Sequence, residues 1–421
     1  MKIGKNRRPY CLVLSGGGAK GVYHIGVWKA LKEMGIEVEA FVGASIGAVL
    51  AALFAQGSDE DLESLGLSLG IDSIVEIPDG IAEEGLLRLV PHTLDAAAEF
   101  LLSAVEHKGL DTRPMRSLLE SKLDEGLIRA SGKDVGMVTV NLSDLRPVEL
   151  YLDQMEHGRL LDYIMASAAF PGFTPPEIGG KKFVDGGLYD NIPYAMAKKR
   201  GYRRIIVSDM SGAGRNRRPD IEGTETVYIK NSLDMGGIFD FDKTFLRRFS
   251  LLGYLDALRT FGALEGQLYF VQPERKPGAV LDASELSDPR AIREILPDRM
   301  RLEKNLLLAR MECAASILEV ERIRKYGYPE LLAEIGKKRD AEEEKIRSHL
   351  KDAKDSPAAF VKALRQTIAD KDFERCPYFY WRLAQELLPK SAGRVARRAL
   401  SAIFQELPAG MEFLERRYHA E

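Results

Sequence analysis

Short apolar runs alternate with helix-period patterns through the first 210 residues. Runs bounded by turn residues predict strands at 10–14, 40–42, 136–141, 148–152, 182–184 and 204–208. Apolar positions three and four apart predict helices at 21–34, 46–55, 93–107, 114–123, 163–168 and 193–200. The alternation predicts an α/β fold, a three-layer sandwich with a mostly parallel central sheet. A Gly- and Arg-rich stretch at 211–219 reads as a surface loop. Past about residue 240 strand patterns fade, and most of 285–421 is helical and rich in Lys, Arg and Glu. The expected organisation is an α/β domain at 9–210, a loop and amphipathic extension at 211–284, and a mainly α-helical C-terminal region at 285–421.

Two charged patterns have competing readings. In 239–261, Phe241, Phe245, Phe249, Leu252, Leu255 and Leu258 recur every three or four residues, with Lys243, Arg247, Arg248 and Arg259 between them. Such a helix either packs over the first domain or lies on an anionic membrane; the packed form is favoured. The charged stretch 330–351 reads as a solvated helix face.

Composition narrows the classes. The 421 residues are 45% hydrophobic and 29% charged, with a net charge of −3. That suits a globular protein and speaks against a nucleic-acid partner. Cys11, Cys313 and Cys376 have neither metal spacing nor a disulfide framework, so no metal site is expected. The basic start MKIGKNRRPY precedes only four apolar residues, too few for a signal-peptide core. The longest uncharged apolar run, 48–55, is far below the roughly 20 residues that span a bilayer. The expectation is a cytoplasmic protein, peripheral at a membrane at most; unconventional export stays open.

The candidate chemistry begins with CLVLSGGGAKG, a strand running into Gly16-Gly17-Gly18-Ala19-Lys20-Gly21. A dinucleotide site would need an acid at the end of the second strand. That strand ends instead in Gly43-Ala44-Ser45-Ile46-Gly47, a G-x-S-x-G sequence leading into an apolar helix. Small residues two positions either side of Ser45 suit a strained turn that projects the hydroxyl from the sheet end. The competing reading is an ordinary helix cap. A histidine base is hard to place. His92, His107 and His157 have no motif, His349 lies in a charged helix and His419 in the tail. His24 follows the glycine loop and reads as a packed residue. Asp185, in Phe183-Val184-Asp185-Gly186-Gly187, ends a short strand; it is either a catalytic carboxylate or part of an Asp-Gly turn.

The glycine loop, the G-x-S-x-G turn, the D-G-G triplet and the stretch ASAAFPGFTPPEIGGKKFVDGGLYDNIP together resemble the patatin-like phospholipase family over about 9–210. The resemblance implies a Ser–Asp dyad with Ser45 as nucleophile and Asp185 as its base. It implies an oxyanion hole at Gly16, Gly17 and Gly18, with Ala19, Lys20, Gly21, Gly43, Gly47, Gly186 and Gly187 supporting the motifs. Lys20 would order the loop or meet an anionic head group. The implied activity is hydrolysis of carboxylic esters in phospholipids, lysophospholipids or related lipids through an acyl-enzyme, with no cofactor. The partner is then a lipid or membrane-surface substrate, and the C-terminal helices are candidates for self-association. A lipid-binding or scaffolding protein with a weak site, or less favourably a nucleotide-binding protein, stands as the alternative.

Overall fold

The computed structural model describes residues 8–57, 59–76, 109–273, 289–353 and 357–418. The expected helix at 93–107, with His92, His107 and His419, lies outside the described residues. The chain divides into two compact units between Phe261 and Gly262.

The first unit is built on a mixed, mostly parallel sheet in the order β5-β6-β3-β2-β1-β7-β8, with β4 paired to β3. Strands β1 (Tyr10–Leu14), β2 (Val38–Ala44), β3 (Asp134–Asn141), β7 (Arg204–Asp209) and β8 (Glu225–Lys230) run parallel. Strands β4 (Arg146–Tyr151) and β6 (Lys181–Asp185) run antiparallel to β3, and β5 (Glu177–Ile178) antiparallel to β6. β1 is buried throughout, as expected of a strand covered on both faces. One face packs Cys11, Val13, Ala40, Val42, Ile205 and Val207 against Tyr194 and Met196. Across the sheet, Phe41 meets Trp28 of helix α1 (Val22–Glu33) edge to face at 5.3 Å, and Trp28 stacks on Phe54 of α2 (Ile46–Gln56) at 5.2 Å. Further helices are α3 (Asp59–Ser68), α4 (Arg113–Lys122), α5 (Glu125–Ala130), α6 (Leu160–Ser167), α7 (Gly187–Asp190), α8 (Tyr194–Arg200) and α9 (Lys243–Thr260).

The α/β reading therefore holds, with one extension. Strand β8 carries the sheet beyond residue 210, where a loop and an amphipathic helical extension were expected. It is an edge strand whose Thr226 and Val227 are half-exposed and whose ends are charged, so it lacks the apolar run of the inner strands. Helix α9 adopts the packed form. Phe245, Phe249, Leu252, Leu255 and Leu258 are buried, and its backbone crosses α1 where neither helix has a side chain in the way. A Cβ on Gly26 would sit 1.9 Å from Ser250 O, and one on Gly253 would sit 2.1 Å from Tyr23 O.

The second unit is mainly helical: α10 (Pro289–Ile295), α11 (Leu306–Ile317), α12 (Tyr328–Ala353), α13 (Pro357–Asp370), α14 (Pro377–Leu387), α15 (Lys390–Ile403) and α16 (Leu407–Tyr418). Its core gathers Leu308, Met311, Ala315, Leu331, Ile335, Phe379 and Leu407. The charged α12 is amphipathic, since Leu331, Ile335 and Ile346 are buried along it. No helix among the described residues is long and apolar enough to cross a membrane.

Candidate active site

The register of β3 places the two candidate residues. β4 occupies one edge of β3 from Gly136 to Asn141, so β2 and β6 must share the other edge. β2 runs parallel to it, with Ala44 opposite Val138. β6 runs antiparallel, with Asp185 opposite Thr139. The two strands therefore meet head-on at consecutive positions of β3. Ser45 leaves the end of one and Asp185 ends the other.

Ser45 is strained, with φ 55° and ψ −130°, in a region that costs a non-glycine residue of order 1–3 kcal/mol. The turn is sharp because its flanks have no side chains. A Cβ on Gly43 would lie 2.2 Å from the carbonyl of Gly47, and one on Gly47 would lie 2.5 Å from Leu14 O. Ser45 is the N-cap of α2, so the positive end of that helix begins beside it, although its side chain makes no cap bond.

Asp185 is buried in the same cavity wall. Its Oδ1 accepts the Gly187 N–H at 2.7 Å, whereas Oδ2 has no partner within hydrogen-bonding geometry. The Ser45 hydroxyl interacts with this carboxyl at a geometry short of a full bond. Burial raises the Asp185 pKa from 3.8 to about 6, against the opposing pull of Ser45 and the Gly187 N–H. Gly186 passes tightly under β3, where an added Cβ would lie 2.0 Å from Val138 O.

The glycine loop lies across the end of β1. Gly17 and Gly18 have φ of 154° and 58°, values open to glycine, and both line the cavity. Their N–H groups have no partner among the described residues. The flanking amides are engaged: Gly16 donates to Asn191 O at 3.1 Å and Ala19 to Ile238 O at 2.7 Å. Of the loop's three leading glycines, Gly16 is thus an anchor in this structure. Lys20 is buried away from the cavity lining, bonded to Asp234 Oδ1 at 3.2 Å with its ammonium 5.9 Å from the Phe249 ring centre. That is the loop-ordering arrangement. Gly21 lies against α2, where a Cβ would meet Ile46 Cγ1 at 2.5 Å.

His24 is committed elsewhere. Its Nε2 donates to Ser15 O at 2.9 Å, so its Nδ1 accepts from the Ser208 hydroxyl at 2.7 Å. Burial lowers its pKa to about 4 and keeps it neutral. It ties the ends of β1 and β7 together. His157 is exposed, and His349 lies on α12 of the second unit.

Two residues of the site have no local signal in the sequence. Ser167, fully buried at the end of α6, accepts the Ser45 N–H at 3.1 Å and donates to Val138 O at 2.7 Å. Its own carbonyl accepts the Gly186 N–H at 3.2 Å. The Thr139 hydroxyl lies 2.9 Å from the carbonyl oxygens of both Ala166 and Val184 and shares its one proton between them. Both bind the elbow, β3 and the Asp185 turn into one piece. Ser167 stands in the ASAAFPGF stretch, where nothing local marks its contact with a residue 122 positions away.

The cavity measures about 470 Å³ and is lined by Val49, Leu53, Leu62, Leu119, Phe173 and Phe239 among other apolar side chains, with Ser45 and Asp185 as its polar pair. That is the size and character of a pocket for one small apolar ligand. Among the described residues no three His, Cys, Asp or Glu side chains gather as metal ligands.

A mixed, mostly parallel sheet that delivers a strained serine and a buried aspartate to one apolar cavity defines a serine-elbow α/β protein. Residues 12–198 match the family model described as patatin-like phospholipase. This matched region, under half of the chain, is similar to the patatin-like phospholipase family. It is similar to an NTE family protein of Mycobacterium bovis, 31% identical over 43% of this chain and 27% of that one. It is also similar to lysophospholipase NTE1 of Cryptococcus neoformans (28% identical, 47% of this chain and 11% of that one). Mouse patatin-like phospholipase domain-containing protein 6 is 26% identical over 47% of this chain and 13% of its own length. The match thus spans between 11% and 27% of these relatives. Among solved structures, VipD from Legionella pneumophila aligns over 98% of this chain and 88% of its own, at 14% identity and a TM-score of 0.38.

Proposed function

We propose that the first unit is a serine lipid acyl hydrolase working through Ser45 and Asp185. Ser45 Oγ attacks the ester carbonyl as its proton passes to the Asp185 carboxylate. The N–H groups of Gly17 and Gly18, with the N-terminus of α2, hold the oxyanion of the tetrahedral intermediate. Collapse expels the alcohol, which takes the proton from Asp185, and leaves an acyl-enzyme. Asp185 then draws a proton from water as the water attacks the acyl carbonyl, and on collapse it returns that proton to Ser45 Oγ, releasing the fatty acid and restoring the free hydroxyl and carboxylate. A base near pKa 6 is ionised at neutral pH yet more basic than an ordinary carboxylate, which suits this role.

The observation that carries the reading is the head-on meeting of β2 and β6 on one edge of β3, with an apolar cavity at the junction. The engaged state of His24 supports a dyad over a histidine-based triad. The cavity has room for one acyl chain, which supports a singly acylated glycerophospholipid among the candidate substrates, as does the relative named lysophospholipase.

The test is a panel of lysophospholipid, phospholipid and neutral-lipid esters, with fluorophosphonate labelling mapped by mass spectrometry. Release of fatty acid with an adduct on Ser45, both lost in Ser45→Ala, is the expected result. A folded protein with no adduct would instead be a lipid binder.

A further inference from the structure

Residues 211–219 form a basic loop that the chemistry above does not use. Its backbone is wedged into the active-site rim. Arg215 N donates to Gly187 O at 2.8 Å, and its carbonyl accepts the Asn191 N–H at 2.9 Å. A Cβ on Gly212 would lie 2.0 Å from Gly16 O, so the loop also presses on the glycine loop. Ala213 and Gly214 line the cavity itself.

From this anchored backbone Arg215, Arg217 and Arg218 project as exposed side chains. None closes an ion pair among the described residues. Arg217 stacks over the Tyr189 ring at 4.6 Å, and both its charge and its backbone N–H favour the ionised form of the buried Asp190. Leu188, on the same rim, lines the cavity and is 50% exposed. The molecule as a whole is weakly acidic, so this concentration of positive charge is local to the cavity mouth. Three exposed arginines that close no side-chain ion pair, beside a half-exposed leucine that lines an apolar cavity, complement an anionic lipid surface: head-group phosphates outside and acyl chains within.

We propose that residues 211–219 dock this unit on an anionic phospholipid bilayer. Arg215, Arg217 and Arg218 lie in the head-group layer, and Leu188 points toward the acyl region at the cavity mouth. The proposal rests on the hydrolase reading for the nature of the substrate and on the loop's own geometry for the surface.

The experiment uses the full chain carrying Ser45→Ala, so that vesicles are not consumed. Co-sedimentation compares phosphatidylcholine vesicles with vesicles containing phosphatidylglycerol. Binding should favour the anionic vesicles and weaken as salt is raised. Adding Arg215→Gln, Arg217→Gln and Arg218→Gln should cost roughly fivefold in partitioning per arginine, roughly a hundredfold together. Lysine at the same positions should keep most of the binding. Equal binding to both vesicle types, or a glutamine variant with the parent's melting curve and the parent's binding, overturns the proposal. If the glutamine variant does not fold, the anionic preference and salt dependence of the parent still decide it. Turnover of a soluble short-chain ester by the unsubstituted protein reports on the dyad separately. Turnover without anionic preference removes the docking surface alone, and docking without turnover removes the hydrolase reading alone.

Discussion

Asp185→Asn is expected to stabilise the protein at neutral pH while removing ester turnover. The folded protein holds this carboxyl at about 6 in place of its ordinary 3.8. At 1.36 kcal/mol per pH unit, keeping it ionised costs the folded state about 3 kcal/mol. The sign follows from proton binding. The folded carboxyl binds its proton more tightly than the unfolded one, so stability falls as pH rises from about 4 to about 6. Below that window the cost is absent, and above it the cost is fully present. Asparagine is neutral throughout, and its Oδ1 still accepts the Gly187 N–H. The variant and the parent should therefore melt together near pH 4. They should separate by roughly 6–12 °C at pH 8, at about 2–4 °C per kcal/mol for a unit of this size. Thermal unfolding of the full chain across this pH series reads the effect. The parent's ester turnover, measured in parallel, should rise about tenfold per pH unit below 6 and then level. An asparagine variant no more stable than the parent at pH 8, or a turnover midpoint near 4, would refute the reasoning.

Three further substitutions probe the surrounding architecture. Ser167→Ala leaves the Ser45 N–H without its acceptor. It should cost about 1–3 kcal/mol, with a ten- to hundredfold fall carried by kcat and not by KM, measured on a soluble ester. Gly43→Ala forces a Cβ to 2.2 Å from the Gly47 carbonyl; circular dichroism and solubility should show a unit that fails to fold. Leu53→Trp projects into the cavity and should take the space of three or four methylenes. At about 0.8 kcal/mol each, the palmitoyl-to-butyryl ratio of kcat/KM should fall up to about two hundredfold. An unchanged ratio would mean that the acyl chain lies elsewhere.

The parts of this architecture that the sequence makes legible are those with a local cause. Gly43 and Gly47 flank Ser45 because backbones cross there, and that need is written within five residues. The inner strands are legible because burial on both faces demands continuous apolar runs. β8 is hidden because an edge strand with half-exposed positions reads like the loop before it. The cover over α9 is hidden for another reason. Its apolar stripe favours packing on a helix but also suits a membrane, and the approach at Gly26 and Gly253 shows which surface it meets. Ser167 and Asn191 act across distances in sequence that no periodicity reports. The same holds for Gly16: its motif suggests a free amide, but Asn191 O takes it.

If the proposed dyad operates, the head-on strand junction explains how two residues would suffice where hydrolases often use three. In a purely parallel sheet, strand ends on one side lie beside one another, and a base must reach the serine from a loop. Here an antiparallel strand enters the same edge of β3 from the opposite direction, so its last residue stands one register step from the elbow. The separation is then set by the β-ladder and not by a flexible connection. Thr139 and Ser167 extend that control, because each bonds to β3 or is part of it and to the segments bearing the pair. A histidine relay adds reach, and this geometry does not need reach. What it needs is a carboxylate basic enough to accept a proton near neutrality, and burial at the end of an apolar cavity supplies that at a cost in stability. On the proposed dyad, the feature that suits Asp185 to act as a base is the one that makes it a destabilising residue, and exchanging the carboxylate for its amide should remove both at once.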